Sequence, residues 1–154
     1  ILWLCCIIFL IIGINQKNFF KIGGEAFFRK SKVTGLISEF SGKIEKTENP
    51  TLLNLGFGYG NAIFTYCNIK PNVTYFITTN MPHGLYPVVR NEQTMYIENK
   101  ETEFIILTNV SQNYEYFRDL PALQQNYQLI DTYIDEDQYS NDKFYTYYLY
   151  QRKR

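Results

Sequence analysis

The sequence is poor in the residues from which several small protein classes are built. It has 3 cysteines, 1 histidine and 1 tryptophan in 154 residues, and its 15 basic side chains are balanced by 15 acidic ones. Three cysteines are too few for a disulfide scaffold. Nucleic-acid binders usually carry a basic excess that neutralises phosphates, so we expect no nucleic-acid partner. An apolar content of 45% also excludes collagen-like and intrinsically disordered chains.

What the sequence does contain is an uninterrupted apolar run at its start. Residues 1–14 (ILWLCCIIFLIIGI) comprise 13 apolar residues and one glycine, without a charge. A helix needs about 20 apolar residues to cross the hydrocarbon core, and position 1 is not Met. We therefore interpret the run as the end of a transmembrane helix whose beginning lies upstream. The lack of a polar stripe argues against a buried core helix, and no small-residue cleavage site follows, as it would in a signal peptide.

The remainder divides into a connector and a domain. We interpret residues 15–32 as a juxtamembrane connector and residues 33–154 as a soluble α/β domain. The connector is basic; its charged residues are Lys17, Lys21, Arg29, Lys30 and Lys32, with Glu25. Taken alone, the positive-inside rule would place the following domain in the cytoplasm. Cys5 and Cys6 lie in the apolar run and Cys67 stands alone, so cysteine usage does not decide the compartment.

Apolar periodicity and turn residues define the elements of the domain. Helices are predicted over residues 33–46, 61–68, 88–99 and 120–127, and strands over 51–55, 73–78, 103–108, 127–134 and 143–150. Strands that alternate with helices indicate an α/β fold with right-handed crossovers. The sequence thus predicts a small three-layer, Rossmann-like sheet with a parallel centre and a C-terminal antiparallel hairpin.

A glycine-rich turn follows the first predicted strand, in the string LLNLGFGYG over residues 52–60. The layout of strand, glycine turn and helix suits nucleotide binding, because glycines permit a tight turn and close approach of a ligand. The string resembles the first motif of S-adenosylmethionine-dependent methyltransferases. That family usually has an acidic residue before the turn and another after the second strand; here Asn54 and the residues 78–80 (TTN) stand instead. We therefore expect no cofactor, and the weak candidates for one are Asn54, Gly56, Gly58 and Gly60.

Other polar and aromatic groups suggest sites less strongly. His83, the only histidine, lies in a Pro/Gly loop without cysteine or acidic neighbours, so a solvated loop residue is favoured over a catalytic base or metal ligand. An acidic patch could offer oxygen ligands to a hard cation, but its spacing fits a charged turn better. Its members are Asp131, Asp135, Glu136, Asp137 and Asp142. No catalytic residue and no metal ligand is predicted.

The C-terminal segment is rich in tyrosine. Aromatic residues on a strand form either a carbohydrate-stacking platform, a membrane-interface belt or, as we favour here, ordinary half-buried strand positions. The tyrosines concerned are Tyr145, Tyr147, Tyr148 and Tyr150. Residues 151–154 (QRKR) form a basic tail that could contact anionic lipid headgroups.

The order of these segments resembles the C-terminal end of polytopic bacterial membrane glycosyltransferases of the dolichyl-phosphate-mannose mannosyltransferase type (family 39-like). The residues that carry the resemblance are 51–56 (TLLNLG), 69–76 (IKPNVTYF), 103–107 (EFIIL), 126–130 (NYQLI) and 144–153 (FYTYYLYQRK). The resemblance implies a last transmembrane helix followed by a small α/β domain on the outer side of a bacterial inner membrane.

The functional expectation follows from that resemblance. Such enzymes use a polyprenyl-phosphate-linked sugar as donor, and their catalytic acid lies in an early extracytoplasmic loop that has no counterpart in this chain. The chain would be an accessory domain, not catalytic by itself, whose partners are the upstream transmembrane part, the bilayer and a glycan or lipid-linked sugar. Two alternatives stay open: a small Rossmann-like enzyme, such as an S-adenosylmethionine-dependent methyltransferase, and a membrane-tethered binding module.

Overall fold

A computed structural model describes residues 33–56, 61–78, 81–140 and 143–154. They belong to one compact unit, Lys32–Arg154. The helices are α1 (Val33–Ile44), α2 (Ala62–Tyr66), α3 (Pro87–Glu98), α4 (Tyr114–Arg118) and α5 (Pro121–Asn126), and the strands are β1 (Leu52–Asn54), β2 (Phe104–Thr108), β3 (Tyr127–Ser140) and β4 (Lys143–Arg152). None of these helices is both long and apolar enough to cross a membrane. The predicted membrane-helix end (1–14) and connector (15–32) lie outside the described residues.

The four strands form one mixed sheet with the order β1-β2-β4-β3. β1 pairs with β2 in parallel, through Leu53 and Ile105, whereas β4 pairs antiparallel with both β2 and β3. The mixed α/β class and the C-terminal hairpin are confirmed. The predicted parallel centre is wrong, since the central pair β2–β4 is antiparallel. β4 takes the inner position because it carries the fully buried Tyr147 and Leu149.

Helices cover both faces of the sheet. Along the adjacent strands β1 and β2 the side chains alternate between the faces, and all of them are buried. One cluster joins α1 and α2 to the sheet through Leu36, Phe40, Ile44, Ile63, Phe64, Leu52, Phe104, Ile106, Tyr147 and Leu149. The other joins α3, α4 and α5 through Tyr96, Ile97, Phe117, Leu123, Leu53, Leu55, Ile105, Leu107 and Tyr127. Burial on both faces explains why these two strands are continuous apolar runs in the sequence.

The main helices begin and end close to the predicted residues. In α1 the buried Leu36, Phe40 and Ile44 follow each other at four-residue spacing and form one stripe. The helix ends before Asn49, which has a positive φ of 51°, and before Pro50, which disfavours helix in the residue that precedes it. α3 has Pro87 in its first turn, where the missing N–H costs nothing. The short α4 was not predicted.

The predicted strand over residues 73–78 is reduced to one parallel bridge between Ile77 and Asn54. The backbone N–H of Asn54 donates to the Phe76 carbonyl at 2.7 Å. The side chain of Gln93, from α3, donates to the carbonyls of Tyr75 (3.0 Å) and Ile77 (2.8 Å). Gln93 thus binds two backbone carbonyls with which a further strand would have to pair, so the sheet ends at this segment.

The β3–β4 hairpin is longer than predicted. The polar stretch from residue 135, expected to connect the strands, continues the ladder through Asp135↔Tyr145 and Tyr139↔Phe144 to Ser140↔Lys143. Register shifts occur between Leu129 and Asp131 and between Asp135 and Tyr139. The irregular stretch absorbs additional residues in β3, as β-bulges do, so pairing continues through a polar sequence.

Candidate functional site

The natural place for a ligand is the edge of the sheet where the parallel strands end. We call it the carboxyl edge; β1 reaches it at Asn54 and β2 at Thr108. In open α/β sheets, ligands bind outside the carboxyl ends of the strands. The segment after Ile77 also leads to this edge, because Ile77 is bridged in parallel to Asn54. The far end of the hairpin lies at the same edge, since Thr108 is opposite Tyr147.

Asn54 lies at this edge and is fully buried, with 0% of its surface exposed. Its side-chain oxygen accepts the backbone N–H of Gly56 at 3.0 Å, and its Nδ2 donates to Oδ1 of Asn61 at 2.7 Å. Asn61 is the residue before α2. Both ends of the Asn54 amide therefore act within the protein, where they hold together the end of β1 and the start of α2.

Gly56 fits a crowded position within the protein. A Cβ at this position would lie 3.0 Å from Oδ1 of Asn54 and 3.3 Å from Cγ2 of Ile106. Packing within the protein is therefore sufficient to explain why this residue is glycine. The other two candidates, Gly58 and Gly60, lie outside the described residues.

His83 lies in the loop that precedes α3. Its Nε2 is 3.3 Å from Oδ1 of Asn91. No cysteine or carboxylate is among its contacts in the part of the chain described, as a catalytic pair or a metal site built on this histidine would need. The structure therefore gives His83 a contact with α3.

The members of the acidic patch that the structure describes do not converge on one point. Asp131 pairs with Lys43 of α1, with 2.8 Å between Oδ2 and Nζ, and only 14% of its side chain is exposed. Lys43 also donates to the carbonyl of Ile130 at 3.2 Å. Asp135 is buried, whereas Glu136 is exposed. The side chain of Asp137 and all of Asp142 lie outside the description. Within the described residues, no three His, Cys, Asp or Glu side chains are grouped so that they could hold a metal ion.

The tyrosines of β4 are divided between the two faces of the sheet. Tyr147 is buried and Tyr145 packs beside it on the α1 side, whereas Tyr148 and Tyr150 pack on the α3 side. The ring of Tyr148 stacks on that of Tyr114, with centroids 5.8 Å apart. Burial, and then the contact with Tyr114, raises the pKa of Tyr148 to about 12. The interpretation as half-buried strand residues is confirmed for Tyr145, Tyr148 and Tyr150 and is wrong for Tyr147, which is fully buried.

A cluster around Arg90 could not be found in the sequence. The guanidinium lies 4.3 Å from the centre of the Tyr116 ring, and its Nη1 is 3.4 Å from Oδ1 of Asn113. The Tyr116 hydroxyl is 3.0 Å from Oγ1 of Thr94. Nε of Arg90 is buried without a hydrogen-bond partner, and no carboxylate of the described residues pairs with this arginine. The contacts join α3 to the segment after β2 across more than 20 residues, and no local pattern signals such contacts.

The basic tail makes contacts within the structure. Arg152 pairs with Glu103 at 2.9 Å, and Nζ of Lys153 donates to the Gln124 carbonyl at 2.7 Å. Two of the three basic side chains of the tail thus fasten β4 to its neighbours.

Burial, and then the nearby carboxylate of Glu45, raises the pKa of the Cys67 thiol to about 11. Because the thiolate is the reactive form, Cys67 is a poor nucleophile at neutral pH.

The arrangement as a whole is one of polar groups that hold the protein together. Around the end of β1 the side-chain amides serve the turn, and beyond β2 Asn109 binds β4 through the Phe144 carbonyl (2.8 Å) and the Thr146 N–H (3.0 Å). No known protein family, curated protein or solved structure matches the chain.

Proposed function

We propose that this chain is a membrane-anchored accessory domain of an integral membrane glycosyltransferase that uses a polyprenyl-phosphate-linked sugar donor, and that it is not catalytic by itself. Its partners would be the upstream transmembrane part, the bilayer and a glycan or the lipid-linked sugar. We place it on the extracytoplasmic side of a bacterial inner membrane. We also propose that the fold is Rossmann-like.

The observation that carries the proposal is the internal use of Asn54. In a nucleotide-binding α/β fold, the groups around the glycine turn are directed at the ligand. Here both ends of the Asn54 amide bind Gly56 and Asn61. This favours a structural turn over a cofactor-binding one, and so favours the accessory domain over a methyltransferase-like enzyme.

The positions of the family-like segments also support the proposal. The segments over residues 51–56, 103–107, 126–130 and 144–153 contain or overlap all four strands, and the segment over 69–76 leads to the bridge at Ile77. The resemblance therefore falls on the residues that build the sheet.

The decisive experiment is performed on the native protein. Antibodies against residues 33–154 would be used to purify the native polypeptide from membranes, and sugar transfer from a polyprenyl-phosphate-linked donor would be measured. We expect a polypeptide much longer than 154 residues that transfers sugar, and no transfer by the reconstituted 154-residue chain. A native polypeptide of only 154 residues would overturn the proposal.

Two further measurements separate the alternatives. Calorimetric titration of the full chain with S-adenosylmethionine should give no heat of binding. An Asn54→Asp variant, which introduces an acidic residue before the turn, should also give none. Saturable heat would favour the methyltransferase-like enzyme. Protease added to intact spheroplasts should remove the domain if it is extracytoplasmic. Protection from the protease would place the domain in the cytoplasm instead.

A further inference from the structure

An exposed apolar segment leads into α3 at the carboxyl edge. Residues 81–88 (MPHGLYPV), which we call the apolar loop, contain no Asp, Glu, Lys or Arg. Four of its residues are exposed by 40% or more: Met81 (54%), Leu85 (78%), Tyr86 (40%) and Val88 (43%). Scattered exposed apolar residues are ordinary, but four of them within one uncharged segment of eight residues indicate a surface that is covered by something apolar.

The apolar loop is held in a defined conformation. The backbone N–H groups of Leu85 and Tyr86 donate to the Pro82 carbonyl at 3.0 and 3.2 Å. The hydroxyl of Tyr86 is 3.5 Å from that of Tyr75, and His83 contacts Asn91 of α3. These bonds satisfy polar groups within the loop while Leu85 points outward. An apolar interface requires both satisfied polar groups and an exposed apolar side chain, because unsatisfied backbone groups are costly in an apolar environment.

The chain enters the described part of the protein at the same edge. Near the start of α1, a Cβ on Gly35 would overlap the hydroxyl of Tyr133, which belongs to the half of β3 nearer the carboxyl edge. Near its end, Lys43 contacts Asp131 and the Ile130 carbonyl, which lie further from that edge. α1 therefore begins at the carboxyl edge, the edge that displays the apolar loop, and runs away from it.

We infer that the apolar loop inserts into the headgroup region of the lipid bilayer, with Leu85 deepest, so that the carboxyl edge of the sheet faces the membrane. The inference rests on the proposed membrane anchoring. An apolar surface without charge suits a bilayer interface, where Leu and Tyr side chains bury their apolar parts at the boundary of headgroups and acyl chains. Arg90 follows the loop by two residues in α3; its guanidinium packs over Tyr116 and has no acidic partner among the described residues, so it would be a cation near lipid phosphates if the loop inserts.

A tryptophan probe tests this inference in the full chain. Trp3 is the only tryptophan, so Trp3→Phe gives a silent background into which Leu85→Trp is introduced. Leu129→Trp serves as the matched control, because Leu129 is also an exposed leucine (50%) but lies on β3. Each variant is reconstituted in zwitterionic phosphatidylcholine vesicles, with and without phosphatidylcholine brominated close to the headgroup end of its chains. Circular dichroism checks that both variants keep the fold.

The expected result is selective quenching of the loop probe. Because interfacial segments lie about 5–10 Å deep at the boundary of headgroups and acyl chains, we expect brominated lipid to quench Leu85→Trp at least about twofold more than Leu129→Trp. Equal quenching would overturn the inference. Blue-shifted emission of Leu85→Trp without extra quenching would also overturn it, since the loop would then be covered by protein.

Extraction with alkaline carbonate separates this inference from the proposed function. If the chain remains in the vesicles but Leu85→Trp is not selectively quenched, the anchoring stands and the loop inference is wrong. If alkaline carbonate releases the chain, the anchoring is wrong and the loop inference falls with it.

Discussion

The side-chain nitrogen of Gln93 lies 2.8 Å from the carbonyl oxygen of Ile77. The same nitrogen lies 3.0 Å from the Tyr75 carbonyl, and Gln93 is only 1% exposed. One side chain of α3 therefore binds two carbonyls of the segment that borders β1. Open strand edges invite pairing with other chains, and covering them is a common protection. Gln93 protects this end of the sheet.

Replacement of Gln93 should therefore be costly. A buried polar group left without its partner costs about 1–3 kcal/mol, and both bonds of Gln93 are part-buried, so we expect Gln93→Leu to lower the free energy of unfolding by about 1–3 kcal/mol. Denaturant titration followed by circular dichroism measures it. The control is Gln125→Leu, at an exposed position of α5, which should change stability by less than about 0.5 kcal/mol. Equal effects of the two substitutions would contradict the capping role.

The pair Asn54 and Asn61 should be energetically coupled. Their side chains are joined by a 2.7 Å hydrogen bond at the end of β1. In a double-mutant cycle with Asn54→Ala and Asn61→Ala, we expect a coupling energy of about 0.5–1.5 kcal/mol. Asn54→Ala should also have the larger single effect, because it leaves the N–H of Gly56 without its acceptor. Additive single effects would mean that the bond does not hold the turn together.

Two glycines of α1 should respond oppositely to alanine. Nothing lies within 4 Å of a Cβ placed on Gly42, so Gly42→Ala should stabilise the protein by about 0.5–1 kcal/mol through helix propensity. A Cβ on Gly35 would overlap the Tyr133 hydroxyl, and the resulting displacement should cancel or reverse that gain. Thermal unfolding of the two variants compares them directly. A similar increase in Tm for both would show that Tyr133 moves aside without cost.

Cys67 should react slowly and with an unusual pH profile. Its pKa is raised from 9.0 to about 11 by burial and by Glu45, so at pH 8 it holds roughly a hundredth of the ordinary amount of thiolate. In a Cys5→Ser, Cys6→Ser background, the rate of alkylation by iodoacetamide should still rise from pH 9 towards pH 11.

The charge contribution to this profile can be isolated. Glu45→Gln removes the smaller of the two causes and should lower the pKa, which increases the rate at pH 8. Glu48→Gln should leave the rate unchanged, since Glu48 is not among the groups that shift the pKa. A rate that levels off near pH 9 in the folded chain would contradict the raised pKa.

The sequence by itself determined most of the elements. The apolar runs of β1 and β2, the stripe of α1 and the proline at the start of α3 are local signals, and the structure places elements there within a few residues. The two strand-like runs near the C-terminus, with a polar stretch between them, also predict the hairpin of β3 and β4. Local signals predict these elements because strand and helix periodicity depend on residues only a few positions apart.

Only the tertiary structure decided how these elements combine and what the candidate residues do. That β4 lies beside β2, that Gln93 ends the sheet at Ile77 and that Arg90 lies over Tyr116 all depend on contacts between residues at least 16 positions apart. Asn54, a weak cofactor-binding candidate in the sequence, bonds to Asn61 and Gly56 within the protein. Such contacts are selected by burial and by satisfaction of buried polar groups across the whole fold, and no short window of sequence contains that information.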